Sequence, residues 1–300
     1  MKYIKRASPS CISGDKENSN TDSALVSTKR SLIFNELNKE LYKKFFLTVE
    51  EIQAIREGYI YIHDMSARRD TMNCCLFDVK NVLSGGFEMG NLWYNEPKTL
   101  DTAFDVIGDI VLSAASQQYG GFTVPSVDEI LEPYAEKSHK KLIEKYRALG
   151  LDEEVVQKIA WSDLEKEMEQ GFQGWEYKFN SVSSSRGDYP FITVTAGTRT
   201  SIYGKLATIK MLEVRKNGQG KEGHKKPVLF PKIVFLYDEN LHGPGKPLED
   251  VFEAGIECSR KTMYPDWLSL TGDGYVPSNL QKIRLRSSAR WMSCISFSMV

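Results

Sequence analysis

The sequence predicts an α/β fold, and three observations carry that prediction. Segments with apolar residues three and four apart, the helical spacing, recur along the chain. Between and after them stand short β-branched and aromatic runs, FITVTAG and KIVFLYDEN. KIVFLY shows no polar alternation, the pattern of a strand covered on both faces. Helices alternating with a few buried strands are how a parallel sheet is assembled, as an open sheet or as part of a barrel.

Taken in order, residues 1–24 are polar and rich in Ser and Asn, and read as an arm. From Ala24 the pattern turns helical. LVSTKRSLIFNELNKELYKKFF carries Leu32, Ile33, Leu37, Leu41 and Phe45 at helical spacing. TVEEIQAIREG forms a shorter helix, with Thr48 and Glu51 as a capping box and Gly58 as its stop. YIYIHD reads as a short strand running into a polar turn. TMNCCLFDVKNVLSGGF reads as a loop and a helical turn closed by Gly85-Gly86. A strong helix is expected from Asp101 to Gln118, with Ala103, Ile107, Ile110, Val111 and Ala114 on one face and Gly120-Gly121 at its end. Ser126 and Glu129 cap another helix running to Gly150, and residues 152–170 form a third, highly charged one. RKNGQGKEGHKKP is a basic, Gly-rich loop that lacks GxxxxGK[ST], so it reads as a solvated connection and not a phosphate loop. Residues 248–263 are helical again.

Composition removes several function classes. The chain has 300 residues, 41% of them hydrophobic, enough for one large domain or two small ones. The net charge of -1 gives no basic field to gather nucleic acid or an anionic membrane. No run of about 18 apolar residues is present to cross a bilayer. MKYIKRASPSCISGDKENSN has no apolar stretch of the secretory kind. A soluble, cytoplasmic protein is expected. The cysteines Cys11, Cys74, Cys75, Cys258 and Cys294 are odd in number, and no CxxC pair occurs. Free thiols are therefore expected, and no metal site.

Two polar clusters could carry chemistry. His63, Asp64, Arg68, Arg69, Asp70, Asn73, Cys74 and Cys75 crowd into one short stretch. Residue types alone leave two readings open. One is a turn in which His63 and Asp64 cap each other beside small buried cysteines; the other is a site. Adjacent cysteines point in different directions, so only one faces any given site. The second cluster, SSSRGDYPF over 183–191, could hold a phosphate or carboxylate through Ser184, Arg186 and backbone amides, or could be an ordinary loop. Cys258 lies between apolar residues of a helix and reads as core.

YIHDMSARRDTMNCCLFDVKNVLSGGF, with NSNTDSALVSTKRSLI, ASQQYGGFTVP, SSSRGDYPFITVT and GYVPS, resembles the N-terminal catalytic region of class III (anaerobic) ribonucleoside-triphosphate reductases. The resemblance runs from Lys16 to Ser278 with the motifs in family order. It implies a partial ten-stranded α/β barrel of the glycyl-radical enzyme type, about one half-barrel preceded by helices. It implies reduction of ribonucleoside triphosphates to deoxyribonucleoside triphosphates. There a glycyl radical, installed by an S-adenosylmethionine-dependent activating enzyme, oxidises a cysteine to a thiyl radical, and formate is the final reductant. Carried onto this chain, Cys74 matches the second, reducing cysteine and Asn73 its substrate-contacting neighbour. His63 and Asp64 match an HD pair near that site. The Asp101–Gln118 helix and the loop after it resemble the dimer and effector region, where deoxynucleotides tune substrate choice; a homodimer is implied. Pyruvate formate-lyase also has adjacent cysteines, but YIHD and YGG favour the reductase.

The same resemblance implies an ATP-binding regulatory domain before the matched part. After it would come a glycyl-radical loop, a four-cysteine structural zinc site and a second half-barrel. The sequence thus divides into an arm (1–24), the first part of a reductase catalytic domain (25–278) and a non-family tail (279–300), and is expected to be an inactive fragment, half of a split enzyme or a nucleotide-binding remnant. With a suitable choice of codons shifted by one base, NLQKIR becomes Ile-Tyr-Lys-Lys-Tyr-Gly and MSCISFSMV yields Cys-Arg-Ala-Phe-Leu-Ser-Pro-Trp, both family sequences. The tail is therefore read as a frameshift product, in which Cys294 is not the radical cysteine.

Overall fold

In the computed structural model, residues 25–68, 72, 74–184 and 187–271 are described. Helix α1 (Val26–Phe46) and helix α2 (Val49–Glu57) lead into a turn at 63–68. Strand β1 (Cys75–Leu76) follows, then α3 (Val79–Leu83) and a hairpin of β2 (Phe87–Met89) with β3 (Leu92–Tyr94). The remaining elements alternate: α4 (Leu100–Ser116), β4 (Phe122–Val124), α5 (Val127–Arg147), α6 (Glu153–Ser181), β5 (Ile192–Ala196), α7 (Ile202–Asn217), β6 (Lys232–Tyr237), α8 (Glu249–Thr262) and β7 (Asp266–Ser269).

The main sheet has five parallel strands in the order β1-β4-β5-β6-β7. This is the α/β class read from the sequence. Every residue of β4 and β5 is buried, because helices cover them. Helices α4, α5, α6 and α7 pack in neighbouring pairs, and α8 lies on α7. α4 and α6 approach closely. At Gly171 an added Cβ would lie 2.2 Å from the Phe104 ring, so only glycine fits. Phe104 then meets Phe172 and Trp175 edge-on, and the Trp175 indole N–H donates to the Phe104 carbonyl at 2.8 Å.

Local signals set several boundaries. The Thr48–Glu51 capping box forms as expected, and Gly58 ends α2 in the left-handed conformation. Ala103, Ile107, Ile110 and Val111 are buried on α4, with Ala114 packed beside them. Cys258 is fully buried in α8, and burial raises its thiol pKa.

Other elements differ from the expectation. YIYIHD is not a strand. Tyr59 and Tyr61 are more than four-fifths exposed and no strand lies alongside among the described residues, so β-propensity found no ladder there. Ser126 holds the N-cap position of α5, but its side chain makes no cap; its backbone is left-handed and its N–H donates instead to Thr195 Oγ1 at 2.8 Å. The charged helix after residue 152 extends to Ser181. RKNGQGKEGHKKP is not wholly a solvated loop. Its first residue, Arg215, is fully buried at the end of α7, paired with Glu176 at 2.7 Å.

Candidate functional site

Cys74 stands at the mouth of β1, and backbone pairing fixes it there. Tyr119 N–H donates to the Met72 carbonyl at 2.9 Å, Cys75 N–H to the Gly121 carbonyl at 3.0 Å and Phe77 N–H to the Thr123 carbonyl at 2.9 Å. The chain around the cysteines is thereby zipped onto the YGG turn and β4. The two thiols part as adjacent residues in extended chain must. Cys74 Sγ accepts from the Gly121 backbone N–H at 3.3 Å, while Cys75 Sγ faces the Gln118 amide nitrogen at 2.7 Å. Both cysteines are half-buried and reduced.

In the second cluster Ser184 is tied to Gly187 and Asp188. Ser184 N–H donates to the Asp188 carbonyl at 2.7 Å, Gly187 N–H donates to the Ser184 carbonyl at 3.0 Å, and the Ser184 hydroxyl bonds the Asp188 carboxylate. Ser184 and Asp188 line a cavity of about 340 Å³. Its other walls include Ser113 and Ser116 of α4, Tyr119 and Gly120 of the turn, and Phe191 before β5. That volume is within the range of small-molecule sites. Hydroxyls and a carboxylate face an aromatic wall, an arrangement that can orient a polar ligand while covering its flat part.

One turn serves both features, which no local motif signals. Tyr119 and Gly120 line the cavity, and the next residue, Gly121, holds the Cys74 sulfur. Neither cysteine lines the cavity itself. Gly121 lies 47 positions from Cys74, and the cavity walls come from two further separate stretches, so no local pattern could have joined them.

His63 and Asp64 stand apart from both. His63 Nδ1 lies 2.5 Å from Asp64 Oδ2, Arg68 Nη1 donates to the His63 carbonyl at 3.2 Å, and Asp64 takes a left-handed backbone. This is the turn in which the two residues cap each other. The His63 side chain is 77% exposed. Among the described residues no hydrogen bond joins this turn to Cys74. Asn73 and Arg186 lie outside the described residues, as do Cys11, Cys294 and the segments 1–24 and 279–300.

Elsewhere burial perturbs two titrating groups. Asp128, at the start of α5, accepts from the Gly197 and Arg199 amides at 3.0 and 3.3 Å, yet burial outweighs these bonds and raises its pKa. Burial also lowers the His139 pKa; its Nδ1 lies 3.0 Å from the Tyr203 hydroxyl. Among the described residues no three His, Cys, Asp or Glu side chains gather to hold a metal. They do not fit a structural zinc, and no step is assigned to one. No described helix is long and apolar enough to cross a membrane.

A parallel half-sheet backed by helices is the fold shared with solved anaerobic ribonucleotide reductases. The Thermotoga maritima enzyme with glycerol in the active site superposes with a TM-score of 0.63 at 17% identity, over 93% of this chain and 46% of that one. The same enzyme in complex with dATP and CTP superposes at 0.60 and 16% identity, over 92% and 47%. The family model described as anaerobic ribonucleoside-triphosphate reductase matches residues 17–299, and the chain belongs to that family. The match runs across the 279–300 segment that the sequence reading set apart. The anaerobic ribonucleoside-triphosphate reductase of Haemophilus influenzae is 35% identical over 256 residues, 84% of this chain and 36% of its own length. That of Enterobacteria phage T4 is 34% identical over 257 residues, 84% of this chain and 42% of its own length. The chain thus spans about two-fifths of the curated relatives it matches.

Proposed function

We propose that this chain supplies the first half-barrel of an anaerobic ribonucleoside-triphosphate reductase and that Cys74 is its reducing thiol. The observation that carries the reading is the Gly121 amide on the Cys74 sulfur, one residue from a cavity of about 340 Å³. In the reaction implied by family membership, a ribonucleoside triphosphate, formate and a proton give the deoxyribonucleoside triphosphate, carbon dioxide and water. A thiol suits the position of Cys74 because it can protonate the departing 2′-hydroxyl and then, as thiolate, supply one electron. Asn73 and the Ser184–Arg186 loop are proposed to contact substrate, with His63 and Asp64 at the margin. Radical generation, formate oxidation, zinc binding, response to deoxynucleotide or ATP effectors, homodimer formation and contact with the activating enzyme belong to the whole reductase.

On this reading the purified chain binds nucleotide without turning it over. Equilibrium dialysis with CTP and dATP beside an anaerobic turnover assay tests it. Binding that falls on Ser184→Ala, with no deoxynucleotide formed, is the expected result; no binding to the native chain overturns it. A second reading, a two-chain enzyme, draws on the two-fifths coverage of relatives. Turnover regained on adding a separately encoded radical-bearing half supports it. The proposed shift of reading frame near Ser278 is settled by the nucleotide sequence across those codons.

A further inference from the structure

Helix α1 is built inside out. Its two buried residues are polar, Thr28 and Asn38, while Val26, Ile33, Phe34, Leu37, Phe45 and Phe46 are exposed. None of the dense packing between described elements involves it. Its two buried side chains make polar contacts, and each reaches a different candidate cluster. The Thr28 hydroxyl donates to the Gly187 carbonyl at 3.2 Å, and the Asn38 amide donates to the Ser66 carbonyl at 3.2 Å. Gly187 belongs to the loop that Ser184 and Asp188 close over the cavity; Ser66 belongs to the turn that carries His63 and Asp64.

The approach at Gly187 is tight. Its φ is +85°, and an added Cβ would fall 2.0 Å from Thr28 Oγ1 and 2.5 Å from the Thr28 nitrogen. Any side chain at 187 would push the first turn of α1 away. Ten residues of helix separate Thr28 from Asn38, a rigid span of about 15 Å.

We propose that α1 is a strut that sets the spacing between the 184–188 loop and the 63–68 turn, with Thr28 and Asn38 as positioning residues. The mechanics follow from helix stiffness. A stiff helix tied to both loops through buried side chains passes a displacement at one tie to the other. Neither residue touches the reacting atoms; each acts through the loop it holds. The consequence for nucleotide binding rests on the reductase reading, whereas the strut does not.

The test is hydrogen exchange on the full chain. Three backbone amides report the two ends: Ser184 and Gly187 in the loop, and Ala67, which bonds the Asp64 carbonyl, in the turn. Thr28→Val keeps the side-chain shape and removes the donor. It should speed exchange about fivefold at Ser184 and Gly187, the effect of losing one buried hydrogen bond, and should also speed exchange at Ala67. Thr28→Ser, which keeps the donor, should restore both. Asn38→Ala should act in the opposite order, first at Ala67 and then at the loop. Changes confined to the nearer loop, or none at either end, overturn the strut. Should one variant not fold, the other decides the question alone. CTP binding by dialysis is measured in parallel, and Thr28→Val should weaken it with Thr28→Ser restoring it. If the native chain does not bind CTP, the nucleotide reading fails while the exchange data still judge the strut.

Discussion

Helices α1 and α4 have the same kind of sequence pattern and opposite fates. Each carries apolar residues at helical spacing. On α4 those residues are buried, the helix packing against α6 and α5, with Ile107 at 1% exposure. On α1 the comparable residues face outward, Ile33 at 43% and Leu37 at 45%. An apolar stripe states what a helix can bury; only the surface opposite decides whether it does. α4 is held by area, whereas the side chains that α1 buries are the polar Thr28 and Asn38.

The largest effect is expected at a polar contact that does have packed area around it. Arg215 is fully buried, bonded to Glu176 and to the Pro231 carbonyl at 2.7 Å each. Glu176→Ala leaves that guanidinium without its charge partner and should cost about 4 kcal/mol by urea unfolding. Next comes the apolar face itself. Ile107→Ala should cost about 3 kcal/mol through lost burial and the void it leaves. Both effects belong to the α4–α7 body and should leave α1 exchange unchanged until global unfolding.

A smaller effect concerns pH. Burial lowers the His139 pKa in the folded chain, so below the ordinary value of 6.5 the unfolded chain binds the proton more readily. The stability this neutral histidine contributes is present above that pH and is lost as pH falls below it. Melting temperature should therefore drop between pH 7.5 and 5.5, and His139→Gln should flatten that slope. The smallest change is expected on α1. Leu37→Ala should shift stability by less than about 0.5 kcal/mol. Yet replacing Ile33, Phe34 and Leu37 with serine should reduce light scattering by the concentrated chain, because it breaks up an exposed apolar band. A loss of several kcal/mol from Leu37→Ala would mean that α1 is packed after all.

The same contrast explains what the sequence made legible. β5 and β6 announce themselves by short β-branched and aromatic runs, and KIVFLY also lacks the polar alternation of a strand with one wet face. α7 goes unnoticed because it is buried nearly all round, from Gly204 and Thr208 to Leu212 and Arg215, and so presents no clean stripe. β7 is four residues of mostly exposed chain, too short to stand out. YIYI has the residues of a strand and, among the described residues, no neighbour to pair with. At the candidate site Cys74 was legible as a motif and its separation from Cys75 as simple geometry. The cavity was not, because its walls come from residues 112–120 and 182–191, which meet only after the sheet has formed.

The sequential strand order has a consequence for how the molecule is made. Apart from the β2–β3 hairpin, each strand pairs with the one synthesised just before it, across one crossover. No strand waits on a distant partner, so the loop closures are as short as a parallel sheet allows. A ribosome releasing this chain can lay down each βα unit on the last, and the growing edge is always the newest strand. β7, where the described sheet ends, is the surface on which a next strand would be laid.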